Sequence, residues 1–139
     1  MNIRAFQIAD QESVVALWNE CGLTRPWNNP HLDIARKLTA QPELFIVATI
    51  NDVIVGTAMI GFDGHRGWVY YLAVKPSHQR KAIGSALMNE AERLLEQRGC
   101  PKICLMIRSS NASVIEFYKE LGYAQDDVVT LGKRLIHDN

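Results

Sequence analysis

Several features that mark particular protein classes are scarce in this sequence. Its three cysteines (Cys21, Cys100 and Cys104) are an odd number without metal-ligand spacing, and its four histidines are scattered. We therefore expect a reduced, cytoplasmic chain with no structural metal. No apolar run approaches the roughly 20 residues that cross a bilayer, and residues 1–10 lack the apolar core of a signal peptide. We expect no association with a membrane.

The chain also has no excess of charge, because 15 basic residues balance 15 acidic ones. A general nucleic-acid binder needs a basic surplus to displace counterions, so we expect no nucleic-acid partner. The phosphate-binding loops of nucleotide-binding proteins and the Gly-x-Ser-x-Gly elbow of serine hydrolases are absent as well. What remains is a chain of 139 residues, 47% hydrophobic and without repeats or linkers, which is typical of a single domain over residues 1–139.

Hydrophobic periodicity and turn residues predict a mixed α/β order of elements. Asn51-Asp52 is a two-residue turn between two apolar strands, and Asn29 precedes Pro30 as a cap precedes the first residue of a helix. The predicted elements are strand 2–6, a helix capped by Asp10, a helix from Pro30, strands 44–50, 53–62 and 68–74, a long helix that contains Ile83 and Leu87, strand 102–107, a helix capped by Asn111, and a closing strand pair with 128–136 as its clearer member.

The segment LAVKPSHQRKAIGS (72–85) leaves a strand, crosses a short loop and enters a helix. The first backbone N–H groups of a helix lack partners within it, and the helix dipole adds about half a positive charge at this end. The loop therefore predicts a site for an anionic group such as a pyrophosphate. The alternative is an ordinary turn with exposed basic residues.

A second motif lies in RSSNASVIEFYKELGY (108–123), where an asparagine opens a helix that carries Phe-Tyr before a glycine stop. Together the two motifs resemble those of the GCN5-related N-acetyltransferase (GNAT) family, and the resemblance covers nearly the whole chain. Gln79 and Gly84 match the family's Gln/Arg-x-x-Gly-x-Gly/Ala loop, while Ala82 replaces its first glycine. The resemblance implies a central, mostly antiparallel sheet with splayed middle strands, flanked by helices, in the order β-α-α-β-β-β-α-β-α-β(-β).

The resemblance also implies an enzyme that moves the acetyl group of acetyl-CoA to a primary amine by direct attack in a ternary complex. No cysteine lies in either motif, so a covalent acetyl-enzyme is not expected. We expect Ala82 in the right-handed helical region, where alanine is not strained. The acetyl-CoA-binding residues that the resemblance implies are Leu72, Ala73, Val74, Gln79, Arg80, Lys81, Ala82, Ile83, Gly84, Ser85, Asn111 and Phe117.

For the chemistry, the resemblance points to Tyr118 as the general acid, because a phenol with a pKa of about 10 suits protonation of a departing thiolate. The alternative is a buried aromatic residue that packs its helix. Many family members carry a glutamate base on the central strand, but GWVYYLAV (67–74) has no carboxylate. Asp63, His65 and Glu116 are candidates to act as a base or to position water, and a water chain is equally open.

The acceptor side is expected in TRPWNNP (24–30), where Arg25 would meet a substrate carboxylate and Trp27 would form an apolar wall or stack on a cation. Packing of the loop is the alternative. The acceptor is a small-molecule, peptide or protein amine, and because the family often dimerises, a homodimer is among the expectations. The rival hypothesis is a catalytically reduced acyl-CoA-binding or protein-interaction module on the same fold, which Ala82 and the missing strand carboxylate favour.

Overall fold

A five-stranded sheet is the framework of the computed structural model, which describes residues 1–80 and 82–138. Lys81, expected to bind acetyl-CoA, lies outside the described residues. Two compact units are distinguished: Met1–Leu105 with Asp138 form the first, and Met106–His137 form the second. The sheet belongs to the first unit, and the expectation of a single domain stays a prediction.

Neighbouring strands in the sheet are also neighbours along the chain. The strands are β1 (Asn2–Ala5), β2 (Phe45–Ile50), β3 (Val53–Phe62), β4 (Gly67–Val74) and β5 (Ile103–Cys104). β1 to β4 pair in antiparallel fashion, whereas β5 is parallel to β4. Between β2 and β3, Asn51 and Asp52 have φ angles of 50° and 65°. Both angles lie in the left-handed region that a two-residue hairpin turn requires, so this predicted turn is confirmed.

Capping residues account for the beginnings of the helices only in part. The helices are α1 (Gln11–Glu20), α2 (Pro30–Lys37), α3 (Ile83–Gln97) and α4 (Ala112–Glu120). Asn29 caps α2 as predicted, since its side-chain oxygen accepts from two backbone N–H groups of the first turn at 3.0 and 3.2 Å. Asp10 and Asn111 occupy the N-cap positions of α1 and α4, but neither side chain makes a capping hydrogen bond to a backbone N–H of its helix. Asp10 instead pairs with Arg4 at 2.8 Å and so links β1 to the start of α1.

Helices cover both faces of the sheet. In β3, the hydroxyl of Thr57 accepts the indole N–H of Trp18 from α1 at 2.9 Å. A Cβ on the adjacent Gly56 would instead lie 2.9 Å from the Leu87 side chain of α3. Because successive strand residues point to opposite faces, α1 and α3 lie on opposite sides of the sheet. The core on the α1 side consists of Phe6, Val14, Val15, Leu17, Trp18, Ile34, Phe45, Val47, Met59 and Ala73.

β5 is much shorter than the strand predicted over residues 102–107. Its two residues pair with Gly67 and Trp68 at the beginning of β4. Among the described residues, Val69–Val74 therefore have a strand partner only on the β3 side. We call this stretch the open edge of β4. The two middle strands thus part after a short contact, as the resemblance implied.

The predicted closing strand pair around residues 128–136 is not found. In the part of the chain that the structure describes, neither helix nor strand follows α4. The large apolar side chains of the segment are exposed, namely Val128, Val129, Leu131, Leu135 and Ile136. Apolar, β-branched residues favour an extended chain, but a strand also needs a neighbouring edge for its backbone groups. The fold class is nevertheless confirmed as a mixed α/β fold with a mostly antiparallel sheet flanked by helices.

Two absences apply to residues 1–80 and 82–138. No helix there is both long and apolar enough to cross a membrane. No three His, Cys, Asp or Glu side chains in these ranges form a group that could hold a metal ion. The three cysteines are free thiols.

Candidate functional site

The predicted anion-binding loop connects β4 to α3. A short 3-10 turn over Pro76–His78 follows β4. Gln79 then reaches back, and its side-chain amide donates to the carbonyl of Val74 at 3.3 Å. This bond holds the loop to the end of the strand. Arg80, the next residue, is exposed and has a φ of 66°.

Ala82, the N-cap residue of α3, makes no side-chain hydrogen bond to the helix. The backbone N–H groups of Ile83, Gly84 and Ser85 are the first three of this helix, and such groups have no partner within a helix. Together with the helix dipole they give this end a positive partial charge, and the preceding loop carries the basic residue Arg80. This set of donors fits a phosphate or pyrophosphate group.

Ala82, at the N-cap of α3, departs from the sequence-based expectation. Its φ of 60° and ψ of 17° place it in the left-handed region, so the prediction of a right-handed conformation was wrong. The chain turns sharply between the end of β4 and the start of α3, and both Arg80 and Ala82 take a positive φ in this turn. A left-handed conformation costs an L-residue about 1 kcal/mol, which explains why the family motif has glycine at this position.

A bulge interrupts β4 on its open edge. Tyr71 and Leu72 together face the single residue Ala58 of β3, and Tyr71 has a φ of 52°. A bulge leaves one residue unpaired and turns its backbone groups out of the ladder. Of the other strand residues expected to contact acetyl-CoA, Ala73 is buried and Val74 is half-buried. The bulge therefore interrupts the β3–β4 pairing in the stretch of β4 where the resemblance implies the thioester.

Side chains from three elements hold Tyr71. Its ring stacks on that of Trp18, with centroids 3.8 Å apart, and its carbonyl accepts the hydroxyl of Thr57 at 2.7 Å. Its own hydroxyl donates to Asp33 of α2 at 2.6 Å. Burial, together with the Asp33 carboxylate, raises the pKa of Tyr71, so the phenol stays protonated and remains a donor. Neither Asp33 nor Tyr71 is predicted from the sequence, because an aromatic strand without an interior glycine carries no sign of a bulge.

Two of the three candidate bases, Asp63 and His65, lie in the β3–β4 turn, and the third, Glu116, lies on α4. Asp63 accepts from the backbone N–H groups of Arg66 and His65 at 2.7 and 2.8 Å, and these bonds lower the pKa of its exposed carboxyl group. A lowered pKa makes Asp63 a weaker proton acceptor. His65 is exposed in the same turn. Glu116 belongs to the second unit, where it is exposed and lies 3.7 Å from the ammonium group of Lys119.

The second unit carries the second motif on α4. Asn111 accepts from the hydroxyl of Ser113 at 3.4 Å. Tyr118 is buried and makes edge-to-face contacts with Phe117 and Tyr123, with ring centroids 5.0 and 5.7 Å away. Burial raises the pKa of Tyr118 to about 12. Its phenol is therefore fully protonated at neutral pH, as a general acid must be.

The predicted acceptor loop forms a tight turn before α2. The backbone N–H of Asn28 donates to the carbonyl of Arg25 at 3.0 Å, and the two residues form an isolated bridge. Arg25 is exposed at this turn, and Trp27 has 47% of its surface exposed. Trp27 is thus not inserted into the core, in contrast to the fully buried Trp18.

The chain is similar to acetyltransferases over most of its length. Residues 8–123 match the model of the acetyltransferase (GNAT) family. An acetyltransferase of Pectobacterium atrosepticum is 51% identical over 138 residues, which cover 99% of this chain and 98% of the relative.

Two solved structures are similar in fold. The ribosomal-protein-S18-alanine N-acetyltransferase from Escherichia coli has a TM-score of 0.73 at 25% identity, covering 87% of this chain and 76% of that chain. The PaiA N-acetyltransferase from Thermoplasma acidophilum, solved with coenzyme A, has a TM-score of 0.73 at 19% identity and covers 92% of each chain. Since the family model spans most of the chain and a relative matches it over nearly its full length, the protein belongs to the GNAT acetyltransferase family.

Proposed function

We propose that this protein transfers the acetyl group of acetyl-CoA to a primary amine by direct attack in a ternary complex. The observation that carries the proposal is the N-terminus of α3, which follows the open edge of β4 in a chain of the GNAT family. When bound, acetyl-CoA supplies an acetyl thioester that an amine can attack.

Binding would use the backbone more than the side chains. The first three N–H groups of α3 would bind the pyrophosphate, and Arg80 would add positive charge from the loop. The peptide groups of Leu72 and Val74 on the open edge would pair with the amide-bearing arm of the donor. Gln79 would act indirectly, by holding the loop to Val74. The expected contacts of Asn111 and Phe117 stay predictions.

The proposal makes Tyr118 the general acid that protonates the departing thiolate. Its raised pKa, about 12, keeps the proton on the phenol at neutral pH. General acid catalysis contributes about 100-fold or more to a rate, so Tyr118→Phe should lower kcat by at least this factor while acetyl-CoA binding is retained. Steady-state release of free thiol measures kcat, and Tyr123→Phe is the control because this neighbouring ring also contacts Tyr118. Full turnover in Tyr118→Phe would show that Tyr118 is not the general acid and only packs its helix.

The proton of the acceptor amine needs a separate base. A lysine-like amine has a pKa of about 10.4, so most of it is protonated at neutral pH. Asp63, His65 and Glu116 stay the predicted candidates, together with water. The lowered pKa of Asp63 argues against this carboxylate as the base. This leaves the imidazole of His65 as the other candidate in the β3–β4 turn.

The acceptor is proposed to be a primary amine on a peptide, a protein or a small molecule. A structural neighbour at 25% identity is named for acetylation of the alanine of ribosomal protein S18. We infer that a peptide with an N-terminal alanine is the first acceptor to test, followed by a lysine peptide, spermidine and an aminoglycoside.

Thermal unfolding with and without acetyl-CoA tests the proposal, with adenosine 3′,5′-bisphosphate and ATP as controls. A ligand at a hundred times its Kd adds about 2.7 kcal/mol, which for a chain of this length is a rise in Tm of about 10 °C. Arg80→Gln should reduce the rise, whereas Arg98→Gln, just after the other end of α3, should not. No rise with acetyl-CoA would refute the proposal, and a rise without thiol release from any amine would favour the acyl-CoA-binding module.

A further inference from the structure

Asp33 brings a carboxylate from α2 to the bulge of β4. One of its oxygens accepts the hydroxyl of Tyr71 at 2.6 Å, and the other accepts a guanidinium N–H of Arg36 at 3.3 Å. A quarter of the side chain, 25%, is exposed. A carboxylate has about four acceptor positions, so these two bonds leave it able to accept from a further donor.

Arg36 binds another carboxylate more closely than it binds Asp33. Its guanidinium group binds Asp138 through two parallel hydrogen bonds of 2.7 and 3.0 Å, and the Asp138 side chain is only 1% exposed. Bidentate pairs of this kind are the stronger ones, so the longer single bond to Asp33 is the secondary contact. The guanidinium group of Arg36 is thus shared between two carboxylates, and its hydrogen bond to Asp33 is the longer one.

The position of Asp33 at the bulge is held from several sides. Tyr71 is strained at a φ of 52°, and such strain persists only where the surroundings determine the conformation. The ring of Trp18 and the hydroxyl of Thr57 supply those constraints, and Thr57 in turn accepts from Trp18. The phenol of Tyr71 therefore has a defined direction, and its hydroxyl fixes the position of the Asp33 carboxylate.

We propose that Asp33 binds the ammonium group of the acceptor and directs it toward the open edge of β4, with Tyr71 as its positioning residue. The inference rests on the proposed acetyl transfer and adds the residue that recognises the acceptor while the amine is still a cation. The location supports it, because Asp33 follows the exposed turn at Arg25 and Trp27 in the chain and accepts a hydrogen bond from the side chain of the bulged residue Tyr71. An ammonium donor beside a partly exposed carboxylate forms a charge-assisted hydrogen bond.

The test compares Asp33→Asn with Asp52→Asn. Asparagine keeps the shape of Asp33 and an acceptor for Tyr71 but removes the charge, whereas Asp52 is exposed in the β2–β3 turn and serves as the matched control. The acceptors are an N-terminal alanine peptide, an N-blocked lysine peptide, spermidine and kanamycin, assayed by thiol release. We expect Asp33→Asn to raise the KM of the best acceptor about ten-fold or more, with kcat changed less than about three-fold and with the Tm rise on acetyl-CoA retained.

The outcomes separate this inference from the proposed function. An unchanged KM in Asp33→Asn, with acetylation intact, overturns the inference and leaves the proposed function standing. Failure of the wild-type protein to acetylate any of the four amines refutes the amine transfer and the inference with it. If Asp33→Asn does not fold, the Tyr71→Phe variant provides the test instead. It keeps the charge of Asp33 and removes the hydrogen bond that positions this carboxylate. A KM raised in Tyr71→Phe supports the inference, and a KM equal to that of the wild type overturns it.

Discussion

At the scale of single residues, three residues of the proposed site have a strained backbone. Tyr71, Arg80 and Ala82 have φ angles of 52°, 66° and 60°, and none of them is glycine. An L-residue in this region costs roughly 1–2 kcal/mol, which the surrounding structure must offset. Tyr71 is held by stacking and hydrogen bonds, whereas Ala82 carries only a methyl group and lies in an exposed loop. The strain at Ala82 is thus the easier of the two to remove.

Replacement of Ala82 by glycine should stabilise the protein. Glycine adopts a positive φ without penalty, and after its greater freedom in the unfolded chain is subtracted we expect a gain of about 0.5 kcal/mol. Urea unfolding measures this difference. Ala86→Gly, inside α3, is the control and should lose about 1 kcal/mol, since glycine weakens a helix interior. A loss in Ala82→Gly as large as that in Ala86→Gly would contradict the role given to strain.

At the scale of elements, Gly56 lets the first turns of α3 approach the sheet closely. A Cβ on Gly56 of β3 would lie 2.9 Å from Leu87, 3.2 Å from Ile83 and 3.1 Å from the backbone carbonyl of Ala73. The two side chains of α3 can shift, but the carbonyl belongs to the neighbouring strand and has little freedom. The absence of a side chain at Gly56 therefore lets the first turns of α3 lie against the strands, next to the open edge of β4.

Gly56→Ala should separate α3 from β3. We expect a loss of about 1–3 kcal/mol in the free energy of unfolding, typical of overpacking, and weaker acetyl-CoA binding because the start of α3 is displaced. Gly61→Ala in the same strand is the matched control, since its nearest neighbour would be Lys37 at 3.8 Å. Urea unfolding and calorimetric titration with acetyl-CoA measure the two effects. Equal behaviour of the two variants would show that the contact with α3 does not govern either quantity.

At the scale of the whole molecule, buried phenols connect stability to pH. Burial raises the pKa of Tyr118 from its ordinary value of 10.0 to about 12, and the pKa of Tyr71 is raised as well. A group whose pKa is higher in the folded state binds its proton more tightly there. Its contribution to the free energy of unfolding is complete below the unfolded-state pKa and is lost as the pH rises through the folded-state pKa. The stabilisation that comes from the Tyr118 proton should thus be lost as the pH rises from 10 to 12, which lowers the free energy of unfolding.

Urea unfolding at pH 9 and pH 11 tests this linkage in the wild type and Tyr118→Phe. At pH 11 the shift of Tyr118 corresponds to about 1.4 kcal/mol, so the wild type should lose this much more than the variant between the two pH values. Tyr71 and the lysines titrate in both proteins and cancel in the comparison. Equal losses would mean that Tyr118 is not buried as a neutral phenol in the folded protein.

Local signals predicted the elements that depend on neighbours in the chain. The β2–β3 hairpin and the start of α2 were predicted correctly, because Asn51-Asp52 and Asn29-Pro30 act over two to four residues. Segment 128–136 has the composition of a strand but has no strand partner among the described residues, since pairing depends on an edge elsewhere in the molecule. Ala82 was misjudged for the same reason, because the path from β4 to α3 decides its φ.

By itself, the sequence determined the family, the order of elements from β1 to α4 and the positions of the two motifs, because periodicity, caps and turns are properties of adjacent residues. Only the tertiary structure decided the left-handed Ala82, the bulge at Tyr71 and the open edge beside it. It also decided the meeting of Tyr71 with Asp33, which lies 38 positions earlier in the chain. These features come from contacts between elements that are distant in the chain, and no local pattern encodes the geometry in which those elements pack.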